Sequence, residues 1–450
     1  MENLTLTVAA VGAVLVMFLP PVYALAVYIA VLVLYPTYLM VIVGGINISA
    51  ARIVIAVLTL KCILDIDIKK NFKWCELDTW VSISMIVYVG MMFVTRPFGE
   101  TFQNRAGYLM DTWLAYIVTR LCITDRTAML KVIKAIGLIL IPMAVLGIIE
   151  SWVGWQPYLP LTRFCPWQQE VRLAEPRSGL NRAIGPFGHP IMFGICFALF
   201  LPLVYSLRND RSYWHLLAYL VSGIIIFGAV SSMSSGPIMM VVSVIVFLFM
   251  ERYKQWVKPL LYLSVIMCVM IGIVSNRPFY HVFLSNLDPT GGSWWHRAKL
   301  IDLAREHFSE WYLLGYGGKD PGWGEYLGSN HTDITNEFIL AGVQYGILGI
   351  LALCSVLVVI FLNLIRLYNS AADAQTKSLV WALGSSIAAT VIVFMSVSFF
   401  GQMITLLYCV FGMIGSATCI AGYKVPGRNS VPVHQSGDAG NFEYSADWKL

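Results

Sequence analysis

The sequence predicts an all-α polytopic integral membrane protein with 12 or 13 transmembrane helices and a large outer loop that contains an amphipathic helix. Hydrophobic residues fill 58% of its 450 positions and charged residues only 12%, whereas an ordinary soluble domain carries about 25% charged residues. Many windows also approach the roughly 20 apolar residues that a helix needs to cross a bilayer. Long polar segments separate some of these windows, and they supply the predicted outer loops.

Thirteen apolar windows are candidates for spans. Pro20, Pro21 and Pro36 fall in or beside the first two, so one of these two is expected to be a short or re-entrant element. The first window carries one acid, Glu2, and no basic n-region, which favours a retained span over a cleaved signal peptide. The windows cover residues 4–19, 23–43, 49–64, 79–95, 107–124, 128–149, 189–207, 212–230, 237–250, 257–275, 337–367, 378–399 and 402–423.

Basic residues predict which loops lie in the cytoplasm, because short loops rich in Lys and Arg tend to stay there. Clusters occur in alternate loops, which places residues 151–188 and 276–336 outside as the two long outer loops. Residues 1–424 are predicted to form one transmembrane domain and residues 425–450 a polar, disordered cytoplasmic tail. The basic residues are Lys69, Lys70, Lys73, Arg126, Lys131, Lys134, Arg208, Arg211, Arg252, Lys254, Lys258, Arg366, Lys377, Lys424 and Arg428.

Charge and cysteine content exclude several classes of partner. The net charge of +5 is small and dispersed, so nucleic acid is not an expected partner. Nine cysteines occur without a CxxC or a Cys/His metal spacing, and nearly all fall inside or at the ends of windows. The sequence therefore predicts neither an extracellular disulfide framework nor a metal or other cofactor.

The predicted outer loops favour arginine over lysine, although topology alone would treat the two alike. The planar guanidinium binds phosphate bidentately, so an anionic ligand at the outer face is one explanation. Pairing with Glu170, Glu175, Glu306 and Glu310, or contact with lipid headgroups, is the alternative. The arginines are Arg96, Arg105, Arg163, Arg172, Arg177, Arg182, Arg277, Arg297 and Arg305.

Three outer stretches carry the candidate chemistry, and the first is SGLNRAIGPFGHP. Its glycines and prolines prevent regular helix, so Arg182 and His189 are expected in a shaped segment that lines a cavity, with Arg177 just upstream. An anion-binding role is expected for the two arginines and His189. The alternative for His189 is an N-cap turn in which its ring bonds only to backbone.

The second stretch is SWWHRAKLIDLAREHFSEWYLLGYGG. Apolar residues recur at helical spacing, which predicts an amphipathic helix on the membrane surface. Arg297 and His296 fall near its N-terminal end, where the helix dipole favours anions. The stripe consists of Trp294, Ala298, Ile301, Ala304 and Phe308, and the predicted interfacial anchors are Trp294, Trp295, Trp311 and Tyr312.

The third stretch, SNHTDITNEFILAGVQYGILG, leads into a long span. His331 suits proton transfer near neutral pH, and Asp333 or Glu337 is its expected orienter or substitute. Asp333 followed by Asn336 also resembles an N-cap arrangement. These three candidates are too irregularly spaced to diagnose a metal site.

Together the three stretches resemble the O-antigen ligase and polymerase superfamily of integral membrane glycosyltransferases. NRAIGPFGHPIMFG is similar to its Arg and Gly-x-Phe-Gly-His-Pro segment, HRAKLIDLAREHFSEWYLLGYGG to its loop helix with a Gly-x-Gly turn, and the third stretch to its loop His before a Gly-x-x-Gly span. Relatives often have His-Asn or a second His where this chain has His331 followed by Thr332, and Arg before Trp where Arg297 follows its tryptophans. The identity of the base and of the loop arginine therefore stays open.

The resemblance implies transfer of a glycan from a polyprenyl (undecaprenyl) diphosphate carrier to an acceptor hydroxyl at the outer side of a bacterial inner membrane. It implies that Arg182 and Arg297 bind the diphosphate, that His331 serves the acceptor or positions the donor, and that neither metal nor nucleotide sugar takes part. Direct displacement would invert the anomeric centre. The implied partners are the lipid-linked donor, a glycan or lipid acceptor, the bilayer and other polysaccharide-assembly proteins.

Other functions stay open at this stage. Polysaccharide polymerisation is preferred over ligation because nothing in the outer loops points to a lipid A core acceptor. A transporter of lipid-linked sugars would show the same hydropathy, with Arg52 and Asp111 as its chief interior ionisable residues. A non-catalytic membrane scaffold is the third reading. Convergence of Arg182, Arg297 and His331 on one cavity would favour the enzyme.

Overall fold

The computed structural model describes residues 2–43, 46–164, 176–177, 179–210, 212–275, 278–282 and 294–422, and the predicted tail at 425–450 lies outside them. The first half contains α1 (Glu2–Phe18), α2 (Pro21–Leu34), β1 (Met40–Val43), β2 (Ile46–Ser49), α3 (Ala50–Leu64), α4 (Ile66–Asn71), α5 (Glu76–Thr95), α6 (Phe98–Leu109), a π-helical segment (Met110–Leu114), α7 (Ala115–Cys122) and α8 (Arg126–Val153). The second half contains α9 (Pro190–Ser206), α10 (Trp214–Val230), α11 (Ser235–Met250), α12 (Val257–Val274), α13 (Trp294–Glu306), α14 (Phe308–Trp311), α15 (Glu337–Ser370), α16 (Ala374–Phe394) and α17 (Gln402–Gly422).

The helical fold class is confirmed. Among the described residues, seven helices are long and apolar enough to cross a membrane: α5, α8, α9, α12, α15, α16 and α17. Four shorter apolar helices, α1, α2, α10 and α11, accompany them. Each of the thirteen predicted windows overlaps a helix.

The second window is where the prediction fails in detail. A helix was expected to reach residue 43, but α2 ends at Leu34, and β1 and β2 form an antiparallel hairpin that pairs Met40 with Ser49. Pro36 explains the break, because it disfavours helix in the residue before it and lacks an N–H to continue one. Ser49 then caps α3 by accepting a hydrogen bond from the N–H of Arg52.

The core is organised around α9. Nearly every residue of α9 is buried, and α8, α10, α11 and α16 pack around it. Its apolar residues occupy all sides of the helix, as expected for a helix with neighbours all round. By contrast, no residue of α12 is buried, so this helix lies at the perimeter.

Ion pairs join the loops at one end of the bundle, here called the basic end. Arg126 pairs with Asp373 at 3.0 Å, Arg208 with Glu251 at 2.8 Å, and Arg366 with Glu76 at 2.9 Å, and Lys134 pairs with Asp210. All four cations come from clusters that the sequence assigned to the same side. The start of α8 and the end of α9 lie at the basic end, so the end of α8 and the start of α9 lie at the opposite end.

At this opposite end, a glycine turn after α14 packs into a break in α15. Gly346 interrupts α15 with φ 70° and ψ −168°, a backbone conformation that is essentially restricted to glycine. The N–H of Ile347 donates to the carbonyl of Tyr312 at 2.7 Å, and a Cβ on Gly346 would lie 2.4 Å from the carbonyl oxygen of Leu313. The turn at the end of the second stretch and the Gly-x-x-Gly span of the third stretch therefore pack against each other in one close contact.

The predicted amphipathic helix exists as α13, but its buried face differs from the prediction. Leu300, Leu303 and Ala304 form a small core with Trp311 of α14 and Val343 of α15. Trp311 was expected to anchor the loop at the membrane surface, yet it is 5% exposed and donates its indole N–H to the carbonyl of Ala304 at 2.8 Å. This face of α13 packs on protein because the loop folds back over the start of α15.

Candidate functional site

The segment that carries Arg182 is fixed by the end of α8. The Oε2 atom of Glu150 accepts hydrogen bonds from the backbone N–H groups of Ile184 at 2.8 Å and Gly185 at 3.0 Å. Beside it, the carbonyl of Ser151 accepts from the N–H of Asn181 at 3.1 Å, and the Ser151 hydroxyl donates to the Asn181 carbonyl at 2.9 Å. Glu150 is fully buried, so these contacts hold non-helical backbone in place of the hydrogen bonds of a helix.

The turn between α10 and α11 cradles the Arg182 side chain. The Nη2 atom of Arg182 donates to the hydroxyl of Ser234 at 2.7 Å, and its Nε atom faces the carbonyl of Ser232 at 3.5 Å. Within the same turn Met233 has φ 46°. A non-glycine residue in that region costs of order 1–3 kcal/mol, so the surrounding fold compensates for strain at the point where it binds Arg182.

Arg182 is half-buried beside a second arginine. Burial and, to a smaller extent, the nearby charge of Arg177 lower the pKa of its guanidinium to about 10. Arg177 lies in a tight turn, where it exchanges backbone hydrogen bonds with Leu180. Within the described ranges no carboxylate forms an ion pair with either arginine, so the surroundings of these two side chains, here called the electropositive wall, carry excess positive charge.

His189 is the N-cap of α9. Its Nδ1 atom accepts a hydrogen bond from the N–H of Ile191 at 3.2 Å, which confirms the N-cap alternative for this residue. Burial and the charge of Arg182 lower the His189 pKa to about 4, and Asp333 acts in the opposite direction. His189 is therefore neutral at physiological pH and lies within electrostatic range of both Arg182 and Asp333.

His296, next to Arg297 at the start of α13, is also within the influence of Asp333. Burial lowers the pKa of His296, Asp333 opposes this shift, and the adjacent Arg297 reinforces it. Arg297 itself is half-buried. Asp333 thus lies within electrostatic range of both His189 and His296, and it joins the stretches around Arg182 and around Arg297.

Asp333 also lines a cavity of about 330 Å³ between the loop and α15, together with Asp320, Gln344 and Ser398. His331 is exposed, and its charge contributes to lowering the pKa of Asp320, for which the hydrogen bond from Thr332 is the main cause. Asp333 was predicted to cap the following helix, and this is wrong. Asn336 caps α15, since its Oδ1 atom accepts from the N–H of Ile339 at 3.1 Å.

Glu337 tethers α15 to the segment that follows α16. Its Oε2 atom accepts a hydrogen bond from the N–H of Phe399 at 2.8 Å. Next to it, the side-chain amide of Asn336 donates to the carbonyl of Met395 at 2.9 Å, and the Ser398 hydroxyl donates to the carbonyl of Ile334 at 2.7 Å. These contacts give Glu337 a structural task that the sequence did not indicate.

The sequence left open that the arginines of the outer loops pair with acidic residues, among them Glu310, and Glu310 does not support this. This carboxylate binds His307 at 2.7 Å and the hydroxyl of Tyr316 at 2.7 Å instead of an arginine. Glu170 and Glu175 lie outside the described residues. Over the part of the chain that the structure describes, no group of three or more His, Cys, Asp or Glu side chains could hold a metal ion.

Comparison with known proteins adds no assignment: no family model matches the chain, and no curated protein matches its sequence.

Sequence reasoning missed the residues that support Arg182. Glu150 follows directly after a predicted span, and an acid at the edge of an apolar window could have been noticed. Ser232 and Ser234 belong to the polar run SSMSSGP between two apolar windows. Neither signal reveals its partner, because both contacts join segments that are far apart in the sequence.

Proposed function

We propose that this protein is a membrane glycosyltransferase that transfers a glycan from a polyprenyl diphosphate carrier to a sugar hydroxyl, as in polysaccharide polymerisation. In this proposal the chain has 12 or 13 spans in a bacterial inner membrane, and the Arg182 end faces outward. The observation that supports it is the electrostatic influence of Asp333 on both His189 and His296, two histidines from separate loops whose pKa values also respond to Arg182 and to Arg297 respectively. Ligation to a lipid or protein acceptor uses the same chemistry and is the alternative.

The electropositive wall suits a diphosphate leaving group. The C1–O bond to the diphosphate breaks while the acceptor oxygen bonds to C1, and negative charge grows on the phosphate oxygens. A guanidinium held in advance by Ser232 and Ser234 needs little reorganisation to stabilise that charge. The half-buried setting of Arg182 strengthens the interaction, because the local dielectric constant is lower than that of water.

A base must accept the proton of the acceptor hydroxyl. Glu337 is bound to the Phe399 N–H, which favours Asp333 and His331 for this task. Asp333 acts electrostatically on both His189 and His296 and lines the cavity of about 330 Å³. We therefore place Asp333 first and keep His331, two residues away, as the alternative base.

Transport of a lipid-linked sugar is the second candidate. Arg52 and Asp111 form a bidentate pair, with Nη2 to Oδ2 at 2.6 Å and Nε to Oδ1 at 3.1 Å. Asp111 lies in the π-helical segment, and ionisable pairs and π-bulges in membrane helices often mark functional sites.

The test compares Arg182→Ala, Asp333→Asn and His331→Ala in cells that lack the chromosomal gene. We expect Arg182→Ala to reduce extended glycan by about 10²-fold or more while lipid-linked donor accumulates. Arg163→Ala is the matched control, since this arginine is exposed and stacks on its neighbour Phe164. Wild-type product from a well-folded Arg182→Ala protein would refute the diphosphate role.

Purified protein with lipid-linked donor separates enzyme from transporter. An enzyme forms extended product in detergent, where there are no sides to transport between. A transporter forms none, and Arg52→Gln would then abolish passage of donor across vesicles while Arg182→Ala would leave it unchanged.

A further inference from the structure

A second cavity, of about 660 Å³, lies between α9, α10 and α11 near the basic end. Helices α10 and α11 both pack closely on α9 but contact each other far less. The result is a cleft that opens between two helices at the side of the bundle. None of the residues predicted for the glycan site lines it.

The walls of this cleft are mainly apolar. Leu201 of α9, Ile226 of α10, and Ile245 and Phe249 of α11 line it. A hydrated inorganic anion would gain nothing from such walls, whereas a hydrocarbon chain packs against them without any loss of hydration. The shape and lining therefore favour a ligand with an acyl chain.

One polar group lies deep in the cleft. Ser222 is 5% exposed and lines the cavity, and its hydroxyl has no hydrogen-bond partner among the described residues. Buried polar groups normally have hydrogen-bond partners, because a buried hydroxyl without one has lost its water and gained nothing in exchange. An ester or phosphate oxygen of a ligand would satisfy this hydroxyl.

The mouth of the cleft is positively charged. Arg208 pairs with Glu251 at 2.8 Å and stacks over the Tyr205 ring at 4.2 Å, which fixes its orientation. Arg252 is exposed and forms no ion pair within the described ranges. One arginine charge is offset by Glu251, so the mouth keeps an excess of positive charge.

We propose that this cleft binds an anionic phospholipid. Its acyl chain lies between α10 and α11, its phosphate meets Arg208 and Arg252, and the ester region reaches the Ser222 hydroxyl. The uncompensated charge of Arg252 selects a lipid of net negative charge over a zwitterionic one, whose ammonium group cancels the attraction. The proposal does not depend on the glycosyltransferase assignment.

The test measures lipid binding by native mass spectrometry on delipidated, detergent-purified full-length protein, with equimolar phosphatidylglycerol and phosphatidylcholine as probes. Gly223→Leu fills the cleft, because a Cβ on Gly223 meets no atom within 4 Å. Gly90→Leu is its control, since Gly90 is equally open and lies on α5. Arg252→Gln removes the selective charge, and Lys258→Gln, an exposed cation at the start of α12, is the matched charge control.

We expect the wild type to retain phosphatidylglycerol selectively. Arg252→Gln should reduce its affinity by about tenfold or more, and Gly223→Leu should abolish the selective binding, while both controls behave as wild type. Equal retention of the two lipids by the wild type, or full retention of phosphatidylglycerol by Gly223→Leu, would overturn the proposal. If Gly223→Leu does not fold, the proposal is overturned when Arg252→Gln and Ser222→Ala both bind phosphatidylglycerol with wild-type affinity.

Discussion

Replacing Glu150 by alanine tests whether this carboxylate positions the Arg182 segment. The change removes the acceptor of two backbone hydrogen bonds, at 2.8 Å and 3.0 Å, from Ile184 and Gly185. Both donors are buried. Each buried N–H that loses its partner costs about 1–3 kcal/mol, so Glu150→Ala should destabilise the native state by about 2–6 kcal/mol, a large share of the usual 5–15 kcal/mol.

Glu150→Gln is the discriminating variant. Its amide oxygen can still accept from the same two N–H groups, so we expect a smaller loss of stability and retained glycan transfer. The measurement is the unfolding temperature of the purified protein in detergent, with Glu306→Ala as a control at an exposed position. Equal unfolding temperatures for Glu150→Ala, Glu150→Gln and the wild type would refute the assignment. If Glu150→Ala is destabilised but keeps full glycan transfer below its unfolding temperature, Glu150 has a purely structural role.

Three further predictions follow from single contacts. The pKa of His189 is lowered to about 4, so between pH 6.5 and 4 the unfolded chain binds more protons than the folded one. The unfolding temperature should therefore fall as pH drops from 6.5 towards 4. His189→Asn, which can still cap α9, should make that decline smaller. Gly346→Ala should lower the unfolding temperature sharply, because its Cβ would lie 2.4 Å from the Leu313 carbonyl oxygen. Gly384→Ala is the control and should not, because the atom nearest to its Cβ lies 3.9 Å away. Equal changes in the two unfolding temperatures would contradict this account. Ser234→Ala should reduce glycan transfer more than stability, since it removes the 2.7 Å contact to Nη2 of Arg182, and unchanged turnover would separate that contact from function.

The sequence was sufficient for features that depend on local composition. Apolar windows located the helices because a buried helix must satisfy its own backbone, and the alternating basic clusters predicted which loops meet at one end. The Gly and Pro residues of the first stretch correctly excluded helix there, and His189 correctly appeared as a candidate cap. Each of these features is set by neighbours in the sequence.

Features that depend on long-range contacts could not be predicted in this way. The face of α13 that is buried is decided by Trp311 and Val343, which reach it only after the loop folds back. The cap of α15 is Asn336 instead of Asp333 because the Asn336 amide also bonds to the carbonyl of Met395, 59 residues away. His331 has the residue type expected of a base, but only the fold brings Asp333 within electrostatic range of His189.

Two arginines with carboxylate partners contrast with Arg182, whereas the buried Arg105 is likewise held by neutral groups, the hydroxyl of Tyr345 and the side-chain carbonyl of Asn104. Arg120 binds both oxygens of Asp78 at 2.9 Å, and Arg52 binds both oxygens of Asp111. Each is a bidentate pair that offsets the cost of taking the charge out of water. Arg182 is half-buried next to Arg177 and is held by neutral serine groups, with no carboxylate paired to it in the described part of the chain.

That arrangement is costly for the isolated protein. The lowered pKa of Arg182 records the penalty on its charged form, and the left-handed Met233 adds strain in the turn that holds it. A purely structural arginine would be served better by the aspartate pairing that the chain uses twice elsewhere. A permanently present carboxylate would, however, compete with an incoming phosphate for the guanidinium. The absence of such a partner among the described residues is therefore what an anion-binding arginine requires, and it is the strongest reason to direct the first functional experiment at Arg182.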